Sequence, residues 1–311
     1  MFFRTARTLR AYAHSHARLI MSAQDARGPE ELDACYGSGM TSGKGRTALV
    51  TGATDGVGRV VAAALGKDGW RVLVHGRDAK RGEALLREIE DGGGSASFLP
   101  ADLASLAEVR RLAAEVRKTT DGLALLINNA GIGTAGNGRK TSADGHELRF
   151  AVNYLAGFLL TYELLPLIKA SAPARIVNVS SAGQQAIDFS DVMLARRYSG
   201  IAAYCQSKLA QILFTIDLAQ ELKGSGVLVN ALHPSTYMNT TMVRRAGVSP
   251  MNKVETGAEA ILQLAVSPRI EGKSGLYFNV MNEARANPQA YDAEARRKLR
   301  ALSLELTGVK A

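Results

Sequence analysis

From residue 47 onward, short apolar runs rich in β-branched residues alternate with longer stretches of helical periodicity. The apolar runs read TALVTG, WRVLVHG, ASFLPAD, LALLINNAG, ARIVNVSS, VLVNALHP and GLYFNV. Runs of this length, bounded by glycine, proline or polar residues, are typical of strands. Because most of them are nearly continuous in apolar residues, we expect them to be buried on both faces of a sheet.

The stretches between these runs predict helices, several of which end at glycine. They read GRVVAAALGKDG, DAKRGEALLREIEDGGG, SLAEVRRLAAEVRKTT, ADGHELRFAVNYLAGFLLTYELLPLIKA and AAYCQSKLAQILFTIDLAQELKGSG. Strands that alternate with helices of this length are typical of right-handed βαβ units, which build a parallel sheet. The pattern therefore predicts an α/β fold within a single domain that covers residues 46–311.

The N-terminal segment lacks this pattern. Its first 24 residues contain four arginines and no acidic residue, a composition that resembles an amphipathic transit segment. Two alternatives are a disordered extension and translated sequence upstream of a start at Met21 or Met40. We expect residues 1–45 to form a disordered extension and linker that the fold does not require.

The net charge of +9 raises the question of an anionic partner such as nucleic acid. The lysines and arginines are scattered, however, and most stand among acidic residues on predicted helices. Solvated helix faces explain them better than a nucleic-acid surface. Cys35 and Cys205 form no C-x-x-C motif, which argues against a disulfide framework or a zinc site and favours a reducing, cytoplasmic location.

The most apolar segment, residues 151–168, raises the question of a membrane span. It contains Asn153, Glu163 and Pro166 and lacks flanking anchors. A membrane-spanning helix disfavours such residues. The segment is therefore predicted to be a buried core helix.

The sequence TGATDGVGR joins the first predicted strand to a helix and predicts a dinucleotide site. In this context Gly52 makes the tight turn, Gly56 lets the backbone approach a pyrophosphate, and Gly58 lets the helix pack on the strand. Such a turn directs backbone N–H groups at a helix N-terminus, where a phosphate binds.

The tip of the second strand, VLVHGRD, indicates which cofactor is preferred. An acidic residue at the tip would accept the ribose hydroxyls of NAD, whereas this tip carries Arg77, which suits a 2′-phosphate. Asp78 is either the NAD-binding acid or, as we favour, a helix N-cap. Although Asp55 in the turn mildly opposes a nearby phosphate, the sequence predicts NADP(H), with NAD(H) as the alternative.

YCQSK places Tyr204 and Lys208 one helical turn apart on the same face, after a strand that ends near Ser181. A phenol adjacent to an ammonium is expected to have a lowered pKa, so that it can donate or accept a proton near neutral pH. Ser181 can hydrogen-bond a substrate oxygen as charge develops on it. Asn153 is interpreted as a relay through water to Lys208, and the alternative is a bond to a helix carbonyl.

Together these motifs resemble the short-chain dehydrogenase/reductase family over about residues 46–280. The matching sequences are TGATDGVG, ADL at residues 101–103, NNAG at residues 128–131, Asn153, Ser181, and Tyr204 with Lys208. Within the family, DGHELRFAVNYLAGFLLT, RRYSGIAAYCQSKLAQILFT and the long spacer from Ser181 to Tyr204 are most similar to the retinol dehydrogenase branch.

The resemblance implies a Rossmann-type, doubly wound parallel sheet of about seven strands, and hydride transfer between NADP(H) and an alcohol/carbonyl pair. Asn153, Ser181, Tyr204 and Lys208 are the predicted catalytic residues. The predicted cofactor-binding residues are Gly52, Thr54, Asp55, Gly56, Val57, Gly58, Arg77, Asp102, Leu103, Asn129, Ala130, Gly131, Tyr204, Lys208, Pro234, Thr236 and Tyr237. One departure is Ser235, where the family has glycine after Pro234, and its bulk could alter cofactor seating.

The substrate is left open. Tyr237, Met238, Met242 and Val243 follow the sixth strand and favour a lipophilic aldehyde, ketone or alcohol, although such residues are also ordinary packing. The alternatives are a non-catalytic nucleotide sensor on the same fold and an enzyme that reduces a C=C bond. We expect a small-molecule substrate, no metal, no nucleic acid, no membrane span and a possible homodimer.

Overall fold

Eight strands form one sheet in the order β3-β2-β1-β4-β5-β6-β7-β8 in the computed structural model, which describes residues 43–136 and 138–310. All neighbouring strands are parallel except β7 and β8. The strands are β1 (Thr47–Val50), β2 (Arg71–Gly76), β3 (Ser95–Pro100), β4 (Leu125–Asn128), β5 (Ala174–Val179), β6 (Val227–His233), β7 (Tyr277–Asn279) and β8 (Asn282–Ala284).

Helices connect the parallel strands. They are α1 (Gly56–Lys67), α2 (Ala79–Asp91), α3 (Leu106–Thr119), α4 (Leu148–Ala170), α5 (Gly200–Glu221), α6 (Thr241–Arg245), α7 (Val254–Val266) and α8 (Ala293–Thr307). Several begin at a side chain that accepts a backbone N–H, as Asp78 does from Arg81 N at 3.1 Å and Ser199 from Ala202 N at 3.4 Å. The favoured interpretation of Asp78 as an N-cap is confirmed.

The sheet is covered on both faces, as its apolar strands predict. β1 and β4 are buried along their whole length, and the central side chains Leu49, Leu73 and Leu126 are each 0% exposed. Strand order reverses at β1, which pairs with β2 on one side and β4 on the other. A crevice is expected at such a reversal, outside the carboxyl ends of the strands, and it is where open α/β sheets bind ligands.

Among the described residues, helix α4 is long and apolar enough to cross a membrane by length and composition. However, 67% of its most apolar window is buried inside the fold. Phe158, Leu159, Leu160 and Leu164 are at most 1% exposed and belong to the main hydrophobic cluster. The prediction of a buried core helix is confirmed.

The fold class is confirmed, with two additions near the C-terminus. The short strand β8 pairs antiparallel with β7, and α8 follows it with Leu299 and Ser303 buried. The sequence analysis assigned neither, because NEARANPQAYD has no apolar alternation and α8 carries a mostly polar sequence. The predicted extension lies outside the described residues except for residues 43–45.

Candidate active site

The glycine turn after β1 packs against the segment that follows β4. Gly52 has a φ of 65°, and a Cβ there would lie 2.8 Å from Ala130 Cα. A Cβ on Gly58 would lie 2.3 Å from Asn129 Nδ2 and 2.5 Å from Gly52 O. Since real Cβ atoms do not approach so closely, both positions require glycine. The turn and the NNAG segment therefore meet as the dinucleotide motif predicts.

Thr51 joins the glycine turn to the NNAG segment through hydrogen bonds. Its hydroxyl accepts from Asn129 N at 2.9 Å and Ala130 N at 3.0 Å, and it donates to Ile127 O at 3.2 Å. Asn129 Nδ2 donates to Thr51 O at 2.8 Å. The sequence analysis did not assign Thr51 a role. Only its position between strand and turn could have indicated one.

The carboxylate of Asp55 is partnered. It caps α1 by accepting from Gly56 N at 2.8 Å, and it pairs with Arg81 at 3.1 Å. Arg81 also lies 3.4 Å from Asp78. The concern that Asp55 opposes a nearby phosphate is therefore reduced, because a guanidinium on α2 offsets its charge. The sequence analysis did not single out Arg81.

Arg77 and Asp102 lie together at the ends of β2 and β3. Their guanidinium and carboxylate are 3.9 Å apart, and both side chains are more than half exposed. Asp102 also accepts from Ala104 N at 3.1 Å, which fixes the turn into α3. An exposed ion pair of this kind contributes little to stability. Both groups are thus free to contact a ligand at this edge.

The side chains of Ser181 and Tyr204 lie close together, both beside Gly183. Ser181 follows β5 and Tyr204 lies in the second turn of α5, and a Cβ at Gly183 would be 3.5 Å from Ser181 Oγ and 3.7 Å from Tyr204 Cε1. Burial raises the pKa of Tyr204, and a hydrogen bond with Ser181 acts in the opposite direction. The sequence analysis expected a lowered pKa. The net direction is the reverse, because burial of the phenol dominates.

Lys208 is 4% exposed and lies one turn beyond Tyr204. Its Nζ donates to Val179 O at 2.8 Å and to Gln211 Oε1 at 3.0 Å, and it lies 5.9 Å from the centre of the Tyr204 ring. Burial lowers the pKa of Lys208 to about 7. Gln211 was not predicted, although it lies one turn beyond Lys208 on the same helix.

Asn153 lies in a π-helical stretch, Ala151–Leu155, within α4. Its Oδ1 accepts from Ile132 N at 2.8 Å, and its Nδ2 donates to Ile132 O at 3.1 Å and Ser207 Oγ at 2.9 Å. The alternative of a side-chain bond to a helix carbonyl is wrong. Asn153 instead joins the loop after β4 to α5, and π-helical stretches of this kind are frequent at functional sites.

Gly131 connects the catalytic candidates to the nucleotide turn. A Cβ there would lie 3.3 Å from Asn153 Oδ1 and 3.5 Å from Lys208 Nζ, so both side chains approach its backbone. Gly131 belongs to the same NNAG segment that packs on Gly52. The predicted catalytic and cofactor residues are therefore brought to one edge of the sheet.

The segment after β6 folds back over the turn. A Cβ at Gly56 would lie 3.3 Å from Thr240 Cγ2, and Asn252 Nδ2 donates to Thr236 O at 2.6 Å. Ser235 is buried and is not among the non-glycine residues with positive φ, whereas Tyr237 is, with a φ of 45°. Serine in place of the family's glycine therefore imposes no left-handed strain on the backbone.

Lys208 should make stability depend on pH. Its folded pKa of about 7 lies below the ordinary 10.5, so the unfolded chain binds more protons between these values and stability rises with pH there. We expect Lys208→Met to gain stability relative to wild type most at pH 7 and below, with the difference narrowing toward pH 10.5.

Urea unfolding across this pH range measures the effect. The exposed Lys67→Met is the matched control and should follow the wild-type profile at every pH. A constant offset between Lys208→Met and wild type would mean that the native lysine keeps its ordinary pKa.

Comparison with known proteins gives concordant matches. The sequence model of a family described as short chain dehydrogenase matches residues 46–249. Retinol dehydrogenase 13 of Homo sapiens is 38% identical over 287 residues, which cover 86% of each chain. Polyprenol dehydrogenase of Mus musculus is 38% identical over 285 residues, which cover 85% of this chain and 84% of that protein.

A solved structure agrees with the fold. The Pseudomonas aeruginosa RhlG/NADP active-site complex aligns with a TM-score of 0.64 at 28% sequence identity. The alignment covers 78% of this chain and 98% of that one.

Proposed function

Because the chain belongs to the short chain dehydrogenase family and is thus an NAD(P)-dependent enzyme acting on CH–OH/C=O groups, we propose that it prefers NADP(H) and acts on a lipophilic substrate. The observation that supports catalysis on such a substrate, and not nucleotide sensing, is the convergence of Ser181, Tyr204 and Lys208 on the edge that holds the glycine turn. A nucleotide sensor needs the turn but has no need of these three side chains.

The residues of the turn fit a dinucleotide. Gly52 and Gly58 let the turn pack closely on the NNAG segment, and α1 begins at this turn, where Asp55 caps Gly56 N and the positive end of the helix dipole favours a phosphate. When bound, NADP(H) supplies or accepts the hydride. The protein must then manage the substrate oxygen, which gains negative charge during reduction.

Tyr204 is the proposed proton donor in reduction. Its raised pKa keeps the phenol protonated at neutral pH, which is the form that an acid requires. Ser181, within hydrogen-bond reach of Tyr204, donates to the same substrate oxygen and stabilises its developing charge. In oxidation the roles reverse, and Tyr204 removes the hydroxyl proton.

Lys208 positions and tunes this pair. Its two acceptors in the described part of the chain, Val179 O and Gln211 Oε1, are both uncharged, so no carboxylate there competes with a ligand for the ammonium. A charged Lys208 favours the phenolate form of Tyr204 and so assists oxidation. Asn153 keeps α5 at a fixed distance from the loop after β4 through Ser207.

Arg77 carries the proposed preference for NADP(H). Its exposed guanidinium lies at the end of β2 beside Asp102, where a 2′-phosphate would accept charge-assisted hydrogen bonds. The NADP complex of the related Pseudomonas aeruginosa protein supports the same cofactor class. Arg81, paired with Asp55 and Asp78, adds a second cation to this edge.

We expect Arg77→Ala to weaken NADPH binding by about 10- to 100-fold, the value of one charge-assisted contact, and to leave NADH binding nearly unchanged. Fluorescence titration of both cofactors measures the change. Arg87→Ala, an exposed arginine on α2, serves as the control. Equal affinity of the wild type for NADH and NADPH would show that the preference is misassigned.

The proposed substrate is a lipophilic aldehyde, ketone or alcohol. Tyr237, Met242 and Met251 on the segment after β6 are 40%, 38% and 60% exposed, and Met242 packs near Gly133 after β4. The names of two relatives, retinol and polyprenol dehydrogenase, specify long apolar alcohols. A screen of NADPH consumption over aldehydes and ketones of graded chain length tests this proposal. A preference for short polar carbonyls would oppose it.

A further inference from the structure

A buried histidine joins the nucleotide turn to the end of β3. His75 is 2% exposed and lies in β2. Its Nδ1 accepts from Gly52 N at 3.2 Å, and its Nε2 lies 3.1 Å from Ala101 O. His75 was not among the predicted site residues.

The two contacts fix the tautomer of the ring. Gly52 N–H is a donor, so Nδ1 must present a lone pair, and Ala101 O is an acceptor, so Nε2 must carry the proton. Burial lowers the pKa of His75 to about 4, with the charges of Arg77 and Asp102 acting in opposite directions. The ring is therefore neutral at physiological pH and satisfies both neighbours.

These contacts join three segments that surround the adenosine end. The backbone of β2 is tied to the turn by Ala53 N, which donates to His75 O at 2.9 Å. It is tied to the end of β3 by Ala101 N, which donates to Gly76 O at 3.3 Å. The imidazole adds two further hydrogen bonds, to Gly52 N and Ala101 O, beside these backbone pairs. It thereby sets the distance from the turn to Asp102, the residue after Ala101.

We propose that His75 is a positioning residue for the adenosine half of the cofactor, acting through Gly52 on one side and Ala101 on the other. This role rests on the proposed function, since it requires a dinucleotide at the turn. Loss of the imidazole would leave two buried backbone groups without their side-chain partner, and the turn would relax away from the adenosine site. The effect falls on cofactor affinity and not on the chemical step.

Three substitutions of His75 separate the contribution of the bond to Gly52 N from that of the bond to Ala101 O. His75→Leu removes both, His75→Asn retains an acceptor near the position of Nδ1, and His75→Gln retains a donor near the position of Nε2. His146→Leu is the control, because no hydrogen bond from its side chain is found among the described residues. Calorimetric titration with NADP⁺, NAD⁺ and the fragment 2′,5′-ADP gives affinities, and steady-state assays give kcat and KM.

We expect His75→Leu to bind NADP⁺ and 2′,5′-ADP about 10-fold more weakly, by similar factors, with kcat at saturating cofactor unchanged. His75→Asn should recover most of the affinity. Wild-type affinity in His75→Leu, or a loss confined to kcat, would overturn the role. If His75→Leu does not fold, His75→Gln decides, because it loses the bond to Gly52 N: cofactor binding weaker than that of the wild type supports the proposal, and wild-type affinity overturns it.

The same titration distinguishes a failure of the proposed role of His75 from a failure of the proposed function on which it rests. A wild type that binds NAD⁺ in preference to NADP⁺ contradicts the assigned cofactor preference, and the three variants are then ranked with NAD⁺ to the same expected order. A wild type that binds neither cofactor overturns the proposed function and the role of His75 with it.

Discussion

Replacing Tyr204 by phenylalanine is expected to lower the turnover of carbonyl reduction by about 10²–10⁴-fold, the contribution of a positioned acid. The substitution removes only a hydroxyl, so the fold and NADPH affinity should survive. The side chain lies beside Ser181 at the carboxyl edge of the sheet, and burial keeps its phenol protonated. Tyr277 also contacts Ser181, but its hydroxyl donates to the backbone carbonyl of Ser181 at 3.2 Å and not to the side chain.

Turnover is measured at saturating NADPH with a responsive aldehyde, and NADPH affinity is measured separately by fluorescence. Tyr162→Phe is the matched control, because its hydroxyl donates to Glu221 on the surface between α4 and α5. It should retain wild-type turnover. If Tyr204→Phe retains most of its activity as well, another group must supply the proton.

Ser181→Ala should lower turnover by about 10²–10³-fold, which is the loss found on removing one donor to a developing oxyanion. Ser181 Oγ accepts from Gly183 N at 3.0 Å, which leaves its own proton to donate to Tyr204 or to a substrate oxygen. Cofactor affinity should change little, since Ser181 is not among the predicted cofactor-binding residues. A fall in kcat that exceeds any rise in KM is the expected signature.

Two other serines sharpen this test. Ser225→Ala, in the turn between α5 and β6, changes a hydroxyl that donates to Leu222 O and should leave turnover unchanged. Ser180, the neighbour of Ser181, is committed to Lys208 O at 2.7 Å and is not available to a substrate. A Ser181→Ala enzyme with normal kcat would mean that the substrate oxygen is held elsewhere.

The sequence predicted the sheet well because each parallel strand is a nearly continuous apolar run between turn residues. It predicted Ser181, Tyr204 and Lys208 from the strand end and the helical spacing together with the resemblance to the family. The strand β8 was missed, since three residues, two of them exposed and one half-buried, carry no periodic signal.

Features that depend on long-range packing could not be predicted in the same way. The direction of the Tyr204 pKa shift was wrong because the extent of burial is a tertiary property. The side chain of Asn153 bonds to Ile132 and Ser207, which lie on other segments of the chain. The side chain of His75 likewise bonds to Gly52 and Ala101. No spacing within the local sequence predicts contacts between segments that lie far apart along the chain. The cytoplasmic location, the dimer and the dispensable N-terminal extension stay predictions.

The proposed reaction is hydride transfer from NADPH to a carbonyl carbon of a lipophilic substrate. NADPH deuterated at both C4 positions and a long-chain α,β-unsaturated aldehyde test it, because this substrate offers both a C=O and a C=C bond to the enzyme. We expect an allylic alcohol with deuterium on the carbinol carbon and the double bond intact. Deuterium on a saturated chain carbon, or NADPH that binds and is not consumed by any aldehyde or ketone of the graded series, would contradict it.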